Sequence, residues 1–366
     1  MGFSFNNLPI TTLIGAEKRI FDRVTTEFGV DNGFRGKYLL TKACQRVLSP
    51  LYKINKQEFC EIEKPQIVSP VFIIGHWRSG TTFVHNMLSC DSQFGYCTTY
   101  QTVFPRLMFC GRSVFENIAS LCMPASRPTD GLELSVAQPQ EEEFAVANIT
   151  HASFYHFWLF PQNFAELANR YLFFDTATKN EEEEFCRAVV ETMQTALYSQ
   201  NKTRFLSKNP PHTARVKLLH RLFPDAKFIY IMRNPYSVIE SSCNFFCKTL
   251  SSISLQSFSK QEIMQNILKN YQTMYSRYTE ERKVVAPSNL VQIKFEDFEA
   301  EPVAQIEKIY NSLNLGNFDD VRDNMIQYAE SKKSFRKKCY NYSPYTIHCV
   351  NRYCKEAIEE WEYPKL

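Results

Sequence analysis

The sequence has no C-x-x-C pair and no Cys/His cluster at zinc-ligand spacing, although it carries 12 cysteines and 7 histidines. The usual structural-zinc and dithiol redox motifs are therefore excluded, and no metal is expected. The scattered thiols read as reduced, mostly structural residues. No apolar run approaches the roughly 20 residues needed to cross a bilayer. No basic stretch leads into an apolar one at the start, and after Gly2 the position where myristoylation asks for Ser or Thr is Asn6. The expected address is the cytoplasm, without a transmembrane segment. Glycine is scarce, at 11 residues in 366, and no Gly/Ser-rich linker or internal repeat breaks the chain. A large charge of one sign is also missing: a net +3 implies no nucleic-acid partner.

Aromatics are plentiful, with 30 Phe and 19 Tyr, and the chain is long enough to bury a large core. One stretch carries the strongest chemical signal. Val71-Phe72-Ile73-Ile74 reads as a buried strand, Gly75-His76-Trp77-Arg78-Ser79-Gly80-Thr81-Thr82 as a turn, and Phe83–Leu88 as the start of a helix. A strand, a glycine-bearing turn and a helix N-terminus make an anion cradle, because backbone N–H groups and the helix dipole point at the same place. The glycine spacing matches the nucleotide P-loop, G-x-x-x-x-G-K-[ST]. Thr81 stands at the lysine position, however, and the cation lies inside the loop at Arg78.

Residues 1–66 read as a helical N-terminal addition. Asn180, followed by Glu181–Glu184, reads as a helix start with Glu183 at the capping-box position. Strands are expected at Arg204–Ser207, Lys227–Met232 and Leu290–Lys294, with a helix over about 212–222. Asn234 and Pro235 form an N-cap and N1 pair opening another helix. Residues 92–165 show no clean period. Strands alternating with helices predict a P-loop-like α/β fold: a central parallel sheet, helices on both faces, a single domain over 1–366. Ligands of such sheets bind at the carboxyl ends of the strands, which places Arg78 and Arg233 in one crevice with Ser241 on the following helix.

At this point the chain resembles the sulfotransferases that use 3′-phosphoadenosine 5′-phosphosulfate (PAPS), over about residues 70–340. Phe72–Leu88 is similar to their 5′-phosphosulfate loop. Phe228–Ser242 is similar to their 3′-phosphate motif, in which Arg-Asn-Pro is followed by a serine, here Arg233 and Ser241. Lys294–Phe298 and Phe335-Arg336-Lys337 resemble two weaker family segments. The resemblance implies PAPS as donor, with Ser79, Gly80, Thr81 and Thr82 cradling the 5′-phosphate and Arg78 touching the transferring group. It implies Phe83 and Phe295 at the adenine, Arg233, Ser241, Arg336 and Lys337 at the 3′-phosphate, and Lys208 as a catalytic lysine beside the bridging oxygen. Two residues after that lysine, where cytosolic members have a catalytic histidine, the chain has Pro210.

The general base is therefore expected elsewhere. Pro139-Gln140-Glu141-Glu142-Glu143 offers three carboxylates between aromatic-rich segments, and its similarity to a Pro-Gln-Glu stretch of bacterial-type relatives favours Glu141 or Glu143. His76 and His212 are the other candidates, and Asp130 could position another group. The aromatics of 92–165 and Phe245-Phe246 suit a small hydrophobic hydroxyl acceptor, such as a sterol or another lipid alcohol. Two alternatives remain open: a P-loop small-molecule kinase and a non-catalytic nucleotide-binding protein.

Overall fold

The computed structural model describes residues 11–109, 111–122, 135–332 and 341–366. The chain opens with α1 (Lys18–Phe28) and α2 (Arg35–Glu61), followed by β1 (Val71–Ile74), α3 (Thr81–Leu88) and β2 (Phe94–Gly95). Short helices come next: α4 (Thr99–Val103), α5 (Arg112–Cys122), α6 (Glu143–Ile149) and α7 (Phe164–Leu167). The long α8 (Lys179–Gln200) leads to β3 (Arg204–Lys208), α9 (Val216–Leu222), β4 (Lys227–Met232), α10 (Pro235–Ile253) and α11 (Lys260–Glu281). β5 (Leu290–Lys294), α12 (Phe295–Ala300), α13 (Pro302–Leu313), α14 (Arg322–Ser331), α15 (Pro344–Tyr353) and α16 (Lys355–Glu360) complete it.

The described residues fall into two compact units. One comprises those of 1–66, 96–201 and 245–263; the other, those of 67–95, 202–244 and 264–366. The second unit holds the sheet, with strand order β2-β3-β1-β4-β5 and every pair parallel. The period of two sorts its side chains cleanly. Val71, Ile73, Ile229, Ile231, Val291 and Ile293 turn to one face and pack with Val84 and Leu88 of α3 and Ile306 and Ile309 of α13. On the other face Phe72 stacks on Phe228 at 5.5 Å, and Tyr230 stacks on Tyr278 of α11 at 3.7 Å. Both faces are thus covered, which is why the strands read as continuous apolar runs. The expected α/β architecture with a parallel sheet is what the chain forms.

The first unit is helical. Its described residues between 96 and 165, expected to be irregular, include short α- and 3-10 helices. Phe154, Phe157, Trp158, Phe164 and Phe246 lie ring against ring at 4.3–6.3 Å, so aromatic packing replaces a helical period there. The start of α8 also corrects the sequence reading. Thr178, not Asn180, caps it: the Thr178 side chain accepts from the Glu181 N–H at 3.3 Å, and the Glu181 carboxylate accepts from the Thr178 N–H at 2.9 Å. Asn180 is already helical, so its side chain has no N-cap role.

Candidate active site

The sheet of the second unit brings four strand ends to one edge. β1 delivers the loop 75–80, β3 ends on Lys208, β4 runs into Arg233, and β5 runs into Phe295. The loop needs glycine at two places. Gly75 has φ +142°, and a Cβ there would lie 2.5 Å from the Ile231 carbonyl oxygen of β4. Gly80 has φ +100°, and a Cβ there would lie 2.0 Å from the Phe295 ring. Only a residue without a side chain fits such an approach. Gly80 also stands at the N-cap of α3 without a side-chain cap, so the first turn presents backbone donors with no competing side chain.

The loop is fastened from several elements. The Gly75 N–H donates to Thr213 Oγ1 at 2.7 Å, the Ser79 hydroxyl to the His76 carbonyl at 2.7 Å, and the Ser242 hydroxyl to the Trp77 carbonyl at 3.2 Å. Arg78 sits in the left-handed region at φ 68°. Its Nε donates to Ser241 Oγ at 3.1 Å, and Arg233 Nη1 donates to the Arg78 carbonyl at 3.2 Å. The Arg233 guanidinium lies 4.6 Å from the centre of the Phe295 ring. Arg78, Arg233 and Ser241, drawn from distant segments, therefore meet around one loop. Asn234 caps α10, its side chain accepting from the Tyr236 N–H at 3.0 Å, while its own N–H donates to Glu296 Oε1 at 2.9 Å. That arrangement fixes the helix carrying Ser241.

The remaining candidates sort by burial. Lys208 is buried and pairs in register with Ile73. His85 of α3 is wholly buried; burial and then the Lys208 charge push its pKa well down, so it is neutral. His76 is buried too, its Nδ1 is 3.0 Å from the Trp77 carbonyl and its ring packs on Tyr271. Burial lowers His76 to about 4, which makes it a weak proton acceptor. His212 is buried edge-on against Phe72 and contacts Asn209. Thr81 begins α3 and is buried, and Thr82 beside it is half-buried. Phe83 is half-buried and packs edge-on against Phe298. Phe295 is buried, its ring between Gly80 and Arg233. Arg336, Lys337 and Asp130 lie outside the described residues.

In the first unit the three carboxylates differ. Glu142 and Glu143 are fully buried, and Glu143 accepts from the Ser153 hydroxyl at 3.3 Å. Glu141 is half-buried and accepts from the Tyr155 hydroxyl. Tyr155 continues a row of rings: Phe144 at 4.7 Å, Trp158 at 6.3 Å, and Phe245 a further 5.7 Å from Trp158. Phe144 and Phe245 are half-buried. Sequence reasoning did not single out Tyr155, Thr213 or Ser242. Their partners are fixed by tertiary contacts, and no local spacing announces them.

Residues 70–320 match the pattern of the sulfotransferase family. The chain belongs to the sulfotransferase family. This sulfotransferase is 28% identical over 296 residues to the omega-hydroxy-beta-dihydromenaquinone-9 sulfotransferases Stf3 of Mycobacterium bovis and Mycobacterium tuberculosis, covering 81% of this chain and 76% of each relative. Its fold resembles the crystal structure of sulfotransferase STF9 from Mycobacterium avium, with TM-score 0.66, 16% identity and 94% and 96% of the two chains covered. It also resembles STF1 from Mycobacterium tuberculosis, with TM-score 0.60 and 16% identity over 94% of this chain and 100% of that one. Membership of this family sets aside the kinase alternative. No helix among the described residues is long and apolar enough to cross a membrane, and no three or more of their His, Cys, Asp and Glu side chains gather as metal ligands would.

Proposed function

We propose that this sulfotransferase moves a sulfuryl group from PAPS to the hydroxyl of a hydrophobic lipid alcohol. The observation that carries the donor assignment is the meeting of Arg78, Ser241 and Arg233 around the loop at 3.1–3.2 Å. Two guanidinium groups and a helix N-terminus suit a nucleotide with phosphate at both ends. In this reading Ser79, Gly80, Thr81 and Thr82 hold the 5′-phosphate, Arg233 and Ser241 the 3′-phosphate, and Phe83 and Phe295 flank the adenine. Arg78 and Lys208 stabilise charge on the leaving phosphate oxygen in an in-line displacement, by the electrostatic logic of phosphoryl transfer.

Glu141 takes the proton of the attacking hydroxyl. Among the three carboxylates it is the one that is half-buried rather than enclosed, and the Tyr155 hydroxyl orients it. The neutral, weakly basic His76 is the poorer choice. The row Phe144, Tyr155, Trp158 and Phe245 beside Glu141 supports an apolar acceptor, as does the menaquinone-derived acceptor in the names of the Stf3 relatives. Isothermal calorimetry with adenosine 3′,5′-bisphosphate, together with transfer of labelled sulfuryl to polyprenoid, sterol and sugar alcohols, tests the reading. The expected result is nucleotide uptake and labelling of lipid alcohols. No uptake would remove the donor assignment, and labelling of sugars alone would remove the acceptor assignment.

A further inference from the structure

Helix α2 presents three faces. Thr41, Gln45, Leu48, Tyr52, Asn55 and Phe59 are buried at helical spacing and mark the side packed inward. A second row carries Arg35, Arg46 and Lys53, all exposed, with Lys42 in the same row bonded to Asp22 at 2.8 Å. The third row, opposite the buried one, is apolar. Leu40, Val47 and Ile54 recur every seven residues and are 44%, 77% and 46% exposed, with Leu39 beside them at 61%. Gly36, Ala43 and Pro50 lie between them, exposed and uncharged. From Arg35 to Gln57 there is no acidic residue.

A contiguous apolar row from Gly36 to Ile54, roughly 27 Å long and ending where Glu58 and Glu61 follow on the same line of the helix, marks an interaction surface. Its occupant is specified by the flanking charge. The exposed cations Arg35, Arg46 and Lys53, with Asp22 beside Lys42 alone in that row, disfavour a basic partner and complement an anionic plane. A second copy packed antiparallel on the same face would set one basic row against the other. We propose that the outward face of α2 docks the protein on an anionic lipid surface. Leu40, Val47 and Ile54 enter the headgroup boundary, and Arg35, Arg46 and Lys53 lie against the lipid anions. This inference stands on α2 alone and does not depend on which acceptor the enzyme sulfates.

Flotation of the full-length protein with vesicles tests it. The protein is expected to rise with phosphatidylcholine vesicles containing phosphatidylglycerol, to bind pure phosphatidylcholine weakly, and to be released by high salt. Combining Val47→Ser with Ile54→Ser should weaken binding at least about tenfold, as apolar burial is lost. Combining Arg46→Glu with Lys53→Glu should weaken it by about twentyfold or more, since each cation near an anionic surface contributes about fivefold. Circular dichroism and the thermal midpoint establish that each variant is folded; should one not be, the other decides. Wild-type protein that stays in the buffer with anionic vesicles, or folded variants that float like wild type, overturn the proposal. So does a wild-type dimer in sedimentation that either variant converts to a monomer, because a second copy then covers this face.

Discussion

Lys208, at the end of β3, and Gly80, at the N-cap of α3, show how tightly single residues at this edge of the sheet are held. Lys208 has its stem enclosed at the end of β3, so its charge is held in place rather than left to a flexible surface chain. Lys208→Ala should leave nucleotide affinity within a fewfold and lower turnover on the order of a hundredfold, the usual effect of losing one preorganised donor. Parallel calorimetry and labelled-transfer assays check this; normal turnover would remove Lys208 from the mechanism. Gly80 is constrained by backbone and neighbour together. Gly80→Ala must hold φ near +100° and displace the Phe295 ring, which should destabilise the protein by about 1–3 kcal/mol. Urea denaturation would register it as a lower midpoint. Gly80 was legible from the loop spacing, and the family resemblance pointed to Lys208, whose role the transfer assay tests. The Phe295 ring over Gly80 was not legible, because that approach is created by β5 entering the sheet beyond β4.

At the scale of elements, punctuation was readable where a single signal was present. Asn234-Pro235 opens α10 as its sequence says, since no competing cap lies nearby. α8 was misplaced because Thr178 and Asn180 are both cap residues with a glutamate three positions on, and sequence alone gives the two registers equal standing. The structure chooses Thr178, whose hydroxyl and N–H both bond the Glu181 carboxylate. Thr178→Ala should therefore cost about 1 kcal/mol and Asn180→Ala much less. A denaturant series on the two variants distinguishes them; equal losses would contradict the observed cap. The short helices of 96–165 escaped the sequence reading because ring-on-ring contacts hold them, and those contacts leave no period to find.

Across the whole molecule, histidines carry an acid sensitivity. Burial lowers His76 and His156 from the ordinary 6.5 to about 4 each, and His85 also lies well below its ordinary value. Between pH 6.5 and 4 the unfolded chain binds protons that the folded chain refuses, so stability is full above 6.5 and falls as pH drops. At pH 5.5 His76 and His156 should each cost about 1 kcal/mol relative to pH 7.5. Thermal midpoints across that interval should decline, and His156→Gln should flatten the slope; an unchanged midpoint would contradict the buried neutral state.

The order of the sheet bears on how the chain reaches this state. β1, at the centre, pairs Val71 with Leu206 on one side and with Lys227 on the other. During synthesis this apolar strand leaves the ribosome long before either partner exists. Folding must wait for distant closures, which are slow and leave unpaired strand edges open to aggregation. A holding chaperone that shields Val71–Ile74 until β3 and β4 have been made should therefore raise the soluble yield of this protein.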